Sequence, residues 1–200
     1  MPSQEWQREQ VSEFTKVRLK MSRMKELRTR CGLTDDRPFF RNKPINWWKE
    51  FCTGRKTDDS SDESTASESE SSQSTPNDTP NQSSGFKKEK RPKNEANIPL
   101  LSYLCDMTQD EVIRVLSYHH NWIRQFGFKE HNGRWIYALL VSLEKPLPSE
   151  VYSILRELSR VCSECRDKID TNSDSKTLIP LNLIICLIGR YFDQKDMCDE

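Results

Sequence analysis

A chain of 200 residues is long enough for one domain of ordinary size, or for a smaller one with tails. Hydrophobic residues make up 34% and charged ones 31%, too polar a mixture for a uniformly packed globule, so part of the chain is expected to stay unfolded. Lys plus Arg and Asp plus Glu balance at 31 each, which removes net charge as an argument for any partner, and the opening "MPSQEWQREQ" carries no apolar signal core.

Residues 5–30 read as one long amphipathic helix, with Phe14, Val17, Met21, Met24 and Leu27 recurring at steps of three and four and Trp6 and Val11 near the same stripe. Gly32 and Thr34-Asp35-Asp36 supply its stop. "PINWWKEFC", residues 44–52, predicts a short second helix with Pro44 near its first turn and Trp47, Trp48 and Phe51 as a packing cluster. Charge is uneven here: Lys16 to Lys43 hold ten Lys or Arg against three acids.

Residues 54–97 change character. "TDDSSDESTASESESSQSTPNDTPNQSSG" has one Ala and no other apolar residue, so it cannot offset the entropy of ordering and predicts a disordered, acidic, Ser-rich linker. Ser60, Thr65 and Ser67 each precede an acid by three residues, and Thr75 and Thr79 precede Pro, in the pattern of kinase sites. The organisation expected is therefore an N-terminal helical segment at 1–53, a linker at 54–97 and a C-terminal helical domain at 98–200.

In that last part, Thr108 and Glu111 form a capping box ahead of Val112, Val115, Leu116, His119, Trp122, Ile123 and Phe126. Gly127 and "HNG" are expected to end this helix. The apolar stretch "GRWIYALLVSLEKP" follows, then a helix opened by Pro148-Ser149-Glu150 that carries Val151, Leu155, Leu158, Cys162, Cys165 and Ile169. Pro180 is read as the start of the last helix, "PLNLIICLIGRYF". No stretch alternates with period two for long, so the fold class is all-α, a helical bundle with a long N-terminal amphipathic helix. No apolar run approaches the ~20 residues of a membrane span.

Chemistry-bearing motifs are sparse. The seven Cys (Cys31, Cys52, Cys105, Cys162, Cys165, Cys186, Cys198) sit mostly among apolar helical residues and read as reduced thiols. Cys162 and Cys165 make a CxxC, but they also align with Leu155 and Leu158 on one helix face, and no second CxxC or nearby His completes a metal site. His119 falls on an apolar face with His120 beside it, and no nucleophile motif, Gly-rich phosphate loop or carboxylate pair accompanies them. No catalytic residue, metal or cofactor is expected. The basic run from Lys16 to Lys43 is open to two readings, an RNA-binding surface or the solvated face of the first helix, and the second is preferred.

On a helical wheel, Trp135, Ile136, Leu139, Leu140 and Leu143 fill an arc of about 140°, the width of a core face. Arg134, Tyr137 and Val141 lie together on another side. The last helix is apolar over roughly 200°, through Leu183, Leu187, Ile184 and Ile188, and is expected at the bundle's centre. The core set is thus Trp135, Ile136, Leu139, Leu140, Leu143, Leu183, Ile184 and Leu187. An apolar groove beside Tyr137 and Val141, edged by Arg134, would accept an amphipathic helix. The alternatives are a self-sufficient bundle, or a homodimer using the same face.

"GRWIYALLVSLEKPL" (133–147), "PLNLIICLIGRYFDQKDMCDE" (180–200), "LSYHHNWI" (116–123), "LRELSRVCSECR" (155–166), "EWQREQVSEFTKVR" (5–18) and "WWKEFCTGRK" (47–56) together resemble the survival-of-motor-neuron (SMN) interacting protein family, the second Gemin of the SMN complex. The resemblance implies an all-helical, non-catalytic assembly factor for spliceosomal small nuclear ribonucleoproteins, found in the cytoplasm and in nuclear gems. Its implied partners are an N-terminal SMN helix and the Sm core proteins. In the "GRW" motif it implies that Arg134 pairs with an acidic residue of that helix. The wheel adds Tyr137, Val141, His120 and Trp122 as groove candidates. Family members carry an extended segment upstream of the "WQ" motif, whereas this sequence starts almost at it, with Trp6, and is expected to be a short isoform, a fragment or a divergent member. The alternatives kept are RNA binding by residues 16–43 and a self-associating helical scaffold. On the preferred reading, neutralising Lys20, Arg23 and Arg30 should leave affinity for the SMN helix unchanged.

Overall fold

The computed structural model describes residues 2–33, 40–54, 96–169 and 175–197. Nearly all of the predicted linker, with its Ser and Thr candidates, lies outside them, as do Thr34-Asp35-Asp36 and Cys198. Among the described residues the chain is all-α: α1 (Gln4–Arg30), α2 (Ile45–Thr53), α3 (Leu101–Asp106), α4 (Gln109–Phe126), α5 (Glu130–Ser142), α6 (Ser149–Asp167) and α7 (Ser175–Cys186). A π-helical turn, Leu187–Tyr191, continues α7, and a 3-10 turn, Lys195–Met197, follows.

Local chemistry accounts for most of the boundaries. Ser3 Oγ accepts from the Trp6 amide at 3.2 Å and starts α1. In the capping box of α4, the Glu111 amide donates to Thr108 Oγ1 at 3.3 Å and the Thr108 amide donates to Glu111 Oε2 at 2.9 Å. Gly32 (φ 63°) and Gly54 (φ 69°) take the left-handed conformation just past α1 and α2.

Three boundaries depart from expectation. "HNG" does not end α4; it belongs to α5, whose first turn is capped when the Lys129 amide donates to Asn132 Oδ1 at 2.9 Å. Pro180 lies inside α7, five residues beyond Ser175, and the helix runs through it at the loss of one backbone donor. The short α3 is not anticipated by the sequence pattern, since six residues are too few to show a helical period.

The first two departures share a cause. Pro180 crosses α5 at Gly133, where a Cβ would lie 2.8 Å from Pro180 Cβ and 3.3 Å from Phe128 Cζ. Gly133 is therefore a contact point between helices, not a breaker. Ala at 133 would gain about 0.8–1 kcal/mol of helix propensity but crowd a rigid ring. Overpacking costs about 1–3 kcal/mol, so the net effect of Gly133→Ala is expected to be destabilising, by about 1–2 kcal/mol. Urea unfolding would read it as a lower midpoint at unchanged slope.

The hub of the core is α5, which packs against α1, α2, α3, α4 and α7. Trp135, Ile136, Leu139, Leu140 and Leu143 are fully buried. The wider apolar arc of α7 does not make it the centre. Ile184 and Leu187 are buried, but Leu183 is only half-buried and Ile179 is exposed. The two ends of the sequence share this core: Phe14, Met21, Trp48 and Cys52 are buried in the same cluster as the residues of α4 to α7. Phe51 packs edge-on to Trp135 at 5.8 Å, and Trp135 Nε1 donates to the Asn97 carbonyl at 2.7 Å.

Candidate functional site

The site begins with how α1 is held. Phe14 is buried in a ring cluster, edge-on to Tyr191 at 4.8 Å, Tyr137 at 5.6 Å and Phe192 at 6.2 Å. Further along, the Arg18 guanidinium donates to the carbonyls of Leu140 at 2.8 Å, Val141 at 3.2 Å and also Leu143. Lys25 Nζ meets Glu144 Oε1 at 2.8 Å, and Arg28 pairs with Asp106. These contacts run along one side of α1 and set it across α5 and α3.

Between the three helices the packing stays open. A groove of about 690 Å³ is walled by Val17, Met21, Met24 and Leu27 of α1 and by Tyr137, Ala138 and Val141 of α5. Ile98, Pro99, Leu101 and Leu104 close its end. Met24, Leu27, Ile98 and Leu101 are all at least 40% exposed, so the apolar surface is contiguous and accessible. The sequence pattern predicts a stripe of five apolar residues on the first helix that packs elsewhere in the bundle. In the structure Phe14 and Met21 are buried, while Met24 and Leu27 stay exposed on the groove wall.

Cations edge the groove on both sides, Lys20 and Arg23 from α1 and Arg134 from α5. Arg134 Nη2 rests 2.5 Å from Glu130 Oε1, and both side chains are more than half exposed. Such an i,i+4 pair contributes little, so exchanging Glu130 for an incoming carboxylate costs little. Burial pushes the Tyr137 phenol pKa up from its ordinary value, with the charge of Glu13 adding to the effect, so it faces the groove neutral at physiological pH. The arrangement has no nucleophile or base in it; it can bind an amphipathic, acid-flanked segment.

Of the residues singled out from the sequence, Arg134, Tyr137 and Val141 line this groove together. His120 and Trp122 do not. Trp122 is buried against His119 and Tyr118, and His120 Nδ1 lies 3.2 Å from Asn121 Oδ1. Both sit on α4, which packs on a different side of α5 from α1. Sequence reasoning misses the α1 wall, and with it Lys20 and Arg23 as rim residues. The signal is present in the Met21/Met24/Leu27 stripe, but nothing local says which helix that stripe will face. Arg30, a neighbour of these two cations in the basic run, instead pairs with Glu26 at 3.1 Å on an exposed face.

The remaining candidates lie apart from this groove. Cys162 is buried and Cys165 is half-buried, and burial pushes both thiols up in pKa, away from the thiolate a metal or redox role needs. Among the described residues no group of three His, Cys, Asp or Glu could hold a metal ion. His119 is fully buried, with Asn132 Nδ2 at 3.3 Å from its Nδ1, and burial, helped by His131, lowers its pKa to about 3.

Three comparisons bear on this geometry. The model of the family described as Survival motor neuron (SMN) interacting protein 1 matches residues 1–195. Gem-associated protein 2 of Xenopus laevis is 36% identical over 198 residues, covering 99% of this chain and 70% of that protein. Gem-associated protein 2 of Mus musculus is 34% identical over 206 residues, covering 100% and 67%. A solved chain from "The 8S snRNP Assembly Intermediate" superposes with a TM-score of 0.68 over 98% of this chain and 74% of that one; at 22% identity it speaks to the fold.

Proposed function

The chain belongs to the Survival motor neuron (SMN) interacting protein 1 family, and from that premise we propose that it is a non-catalytic assembly factor for small nuclear ribonucleoproteins, acting by holding an SMN helix in the groove between α1, α3 and α5. The coarser part, a role in this assembly, is supported by the family match and by the Gem-associated protein 2 relatives. The finer part is carried by one observation: a contiguous apolar groove that the packing of the described residues leaves open, edged by Lys20, Arg23 and Arg134. A helix with an apolar stripe flanked by acids fits it in both shape and charge. The Sm core proteins would occupy surface elsewhere on the same fold, and the working places would be the cytoplasm and nuclear gems.

The rival reading, RNA held by residues 16–43, would need the cations of α1. Within that helix Arg18 is held by backbone carbonyls, Lys25 by Glu144 and Arg28 by Asp106, all contacts that tie α1 to the rest of the fold. That leaves less charge for phosphates than the sequence suggests.

Titrating a peptide of SMN's N-terminal segment into the full chain by calorimetry tests the proposal. Met24→Glu with Leu27→Glu places two acids on the exposed groove wall, where neither side chain supports the core. The double variant should fold normally and bind at least about 30-fold more weakly, since two groove contacts at about 1–2 kcal/mol each are replaced by charges repelling an acidic partner. Wild-type affinity in that variant, or no binding by the wild-type chain, would sink the assignment. Binding of a single-stranded RNA oligonucleotide that weakens steeply with salt, with no binding of the peptide, would favour the RNA reading.

A further inference from the structure

One wall of the groove belongs to α1 and the opposite wall to α5, so the groove exists only while α1 is docked. What docks it can be read from the end of α5. A helix leaves its last carbonyls without partners inside the helix, and buried carbonyls must find partners elsewhere. The Leu139 carbonyl takes the Leu143 amide at 3.1 Å, and the Ser142 carbonyl takes Gln109 Nε2 at 2.8 Å. The carbonyls of Leu140, Val141 and Leu143 are all taken by Arg18, from 122 residues or more earlier in the chain.

Arg18 is also enclosed by rings. Its guanidinium carbon lies 5.3 Å from the Tyr191 centroid and 5.9 Å from those of Phe14 and Phe192. The π turn at Leu187–Tyr191, where the Phe192 amide reaches back to the Leu187 carbonyl at 3.1 Å, brings Tyr191 and Phe192 to this place. A planar fork with five donors can serve three carbonyls and stack at once, and a lysine cannot. Arg18 itself does not line the groove; its neighbours Val17 and Met21 do.

We propose that Arg18 is a positioning residue, a latch that holds α1 on the C-terminal end of α5 and thereby couples partner binding to α1 docking. The inference rests on the reading of the groove as the SMN-helix site. Apparent affinity then scales with the fraction of molecules whose α1 is docked. Linkage requires the converse: a helix seated in the groove holds α1 down.

Hydrogen exchange on the full chain, with and without the SMN N-terminal peptide, tests both directions. In the wild type, bound peptide should slow exchange in α1 and α5 and leave α6 unchanged. Arg18→Gln should speed exchange in α1 at least tenfold, spare α6, and weaken the peptide at least tenfold although no groove atom has been altered. Saturating peptide should restore protection of α1, and Arg18→Lys should fall between the two. Wild-type affinity in Arg18→Gln overturns the latch, as does exchange that accelerates equally in α1 and α6, the signature of general destabilisation. If the wild-type chain ignores the peptide, the reading of the groove fails, while the contrast between α1 and α6 in Arg18→Gln still decides whether Arg18 holds α1.

Discussion

Arg134→Glu is expected to lower affinity for the SMN segment by about 2–5 kcal/mol, from 30-fold to several-thousand-fold. Arg134 stands at the groove edge beside Tyr137 and Ala138, where a bound helix would remove water from one side of it. In the free chain its guanidinium is half exposed and held by Glu130, so the substitution costs the fold only the weak repulsion of two acids one turn apart. In the complex the partner's carboxylate would meet a like charge at a partly desolvated edge. Arg134→Gln removes the attraction without adding repulsion and should give a smaller loss. Calorimetry on the three chains separates these cases, and wild-type affinity for Arg134→Glu would mean that Arg134 faces no partner acid.

Lys20 and Arg23 change what is expected of the opposite rim. Read from sequence they lie on a solvated face, and their neutralisation should do nothing. In the structure they edge the same groove, so neutralising both should slow association and weaken binding several-fold at low salt, with the effect fading as salt rises. Neutralising Arg30, paired with Glu26 away from the groove, should leave affinity alone.

The second large effect concerns the fold. His119 has a pKa near 3 in the native state, because full burial disfavours its charged form, against an ordinary value of 6.5 in the unfolded chain. Above pH 6.5 both states hold it neutral and its contribution is complete. As pH falls, the unfolded chain binds a proton that the native chain refuses, so stability drops by up to about 1.4 kcal/mol per pH unit down to about pH 3. Over the whole window the loss is about 4–5 kcal/mol, a large share of a typical domain's stability. Carboxylates join in below about pH 5, so the cleanest interval is pH 6.5 to 5, where about 2 kcal/mol is at stake. Urea midpoints across that interval should fall in the wild type and stay flat in His119→Gln. A flat wild-type curve would mean that the imidazole is not held neutral. His119→Gln should also cost stability at pH 7, since Asn132, which caps α5, would lose its imidazole partner.

Much of the molecule is legible from its residues one segment at a time. The long α1, the capping box of α4, the core face of α5 and the second face carrying Arg134, Tyr137 and Val141 all follow from period, caps and composition, because these depend on neighbours within a few turns. The misreadings have one physical source. Gly133 and Pro180 are helix breakers by local rule, yet each lies within a helix, because the two residues meet where α5 and α7 cross and a glycine opposite a ring allows the close approach. His120 and Trp122, added as groove candidates by the helical wheel, lie on α4 and are not among the residues that line the groove between α1 and α5.

What only the tertiary structure decided is the composite nature of the site. A stripe on α1 and a stripe on α5 are each visible in the sequence, but they face one another across the groove through contacts between distant segments: Phe14 among the rings of Tyr137, Tyr191 and Phe192, Arg18 on the carbonyls of Leu140, Val141 and Leu143, Lys25 with Glu144 and Arg28 with Asp106. Backbone carbonyls look the same in every sequence. Periodicity tells which side of a helix is apolar; which apolar sides meet is set by contacts between residues far apart in the chain, among them a cation that reaches the unpaired carbonyls at the end of another helix.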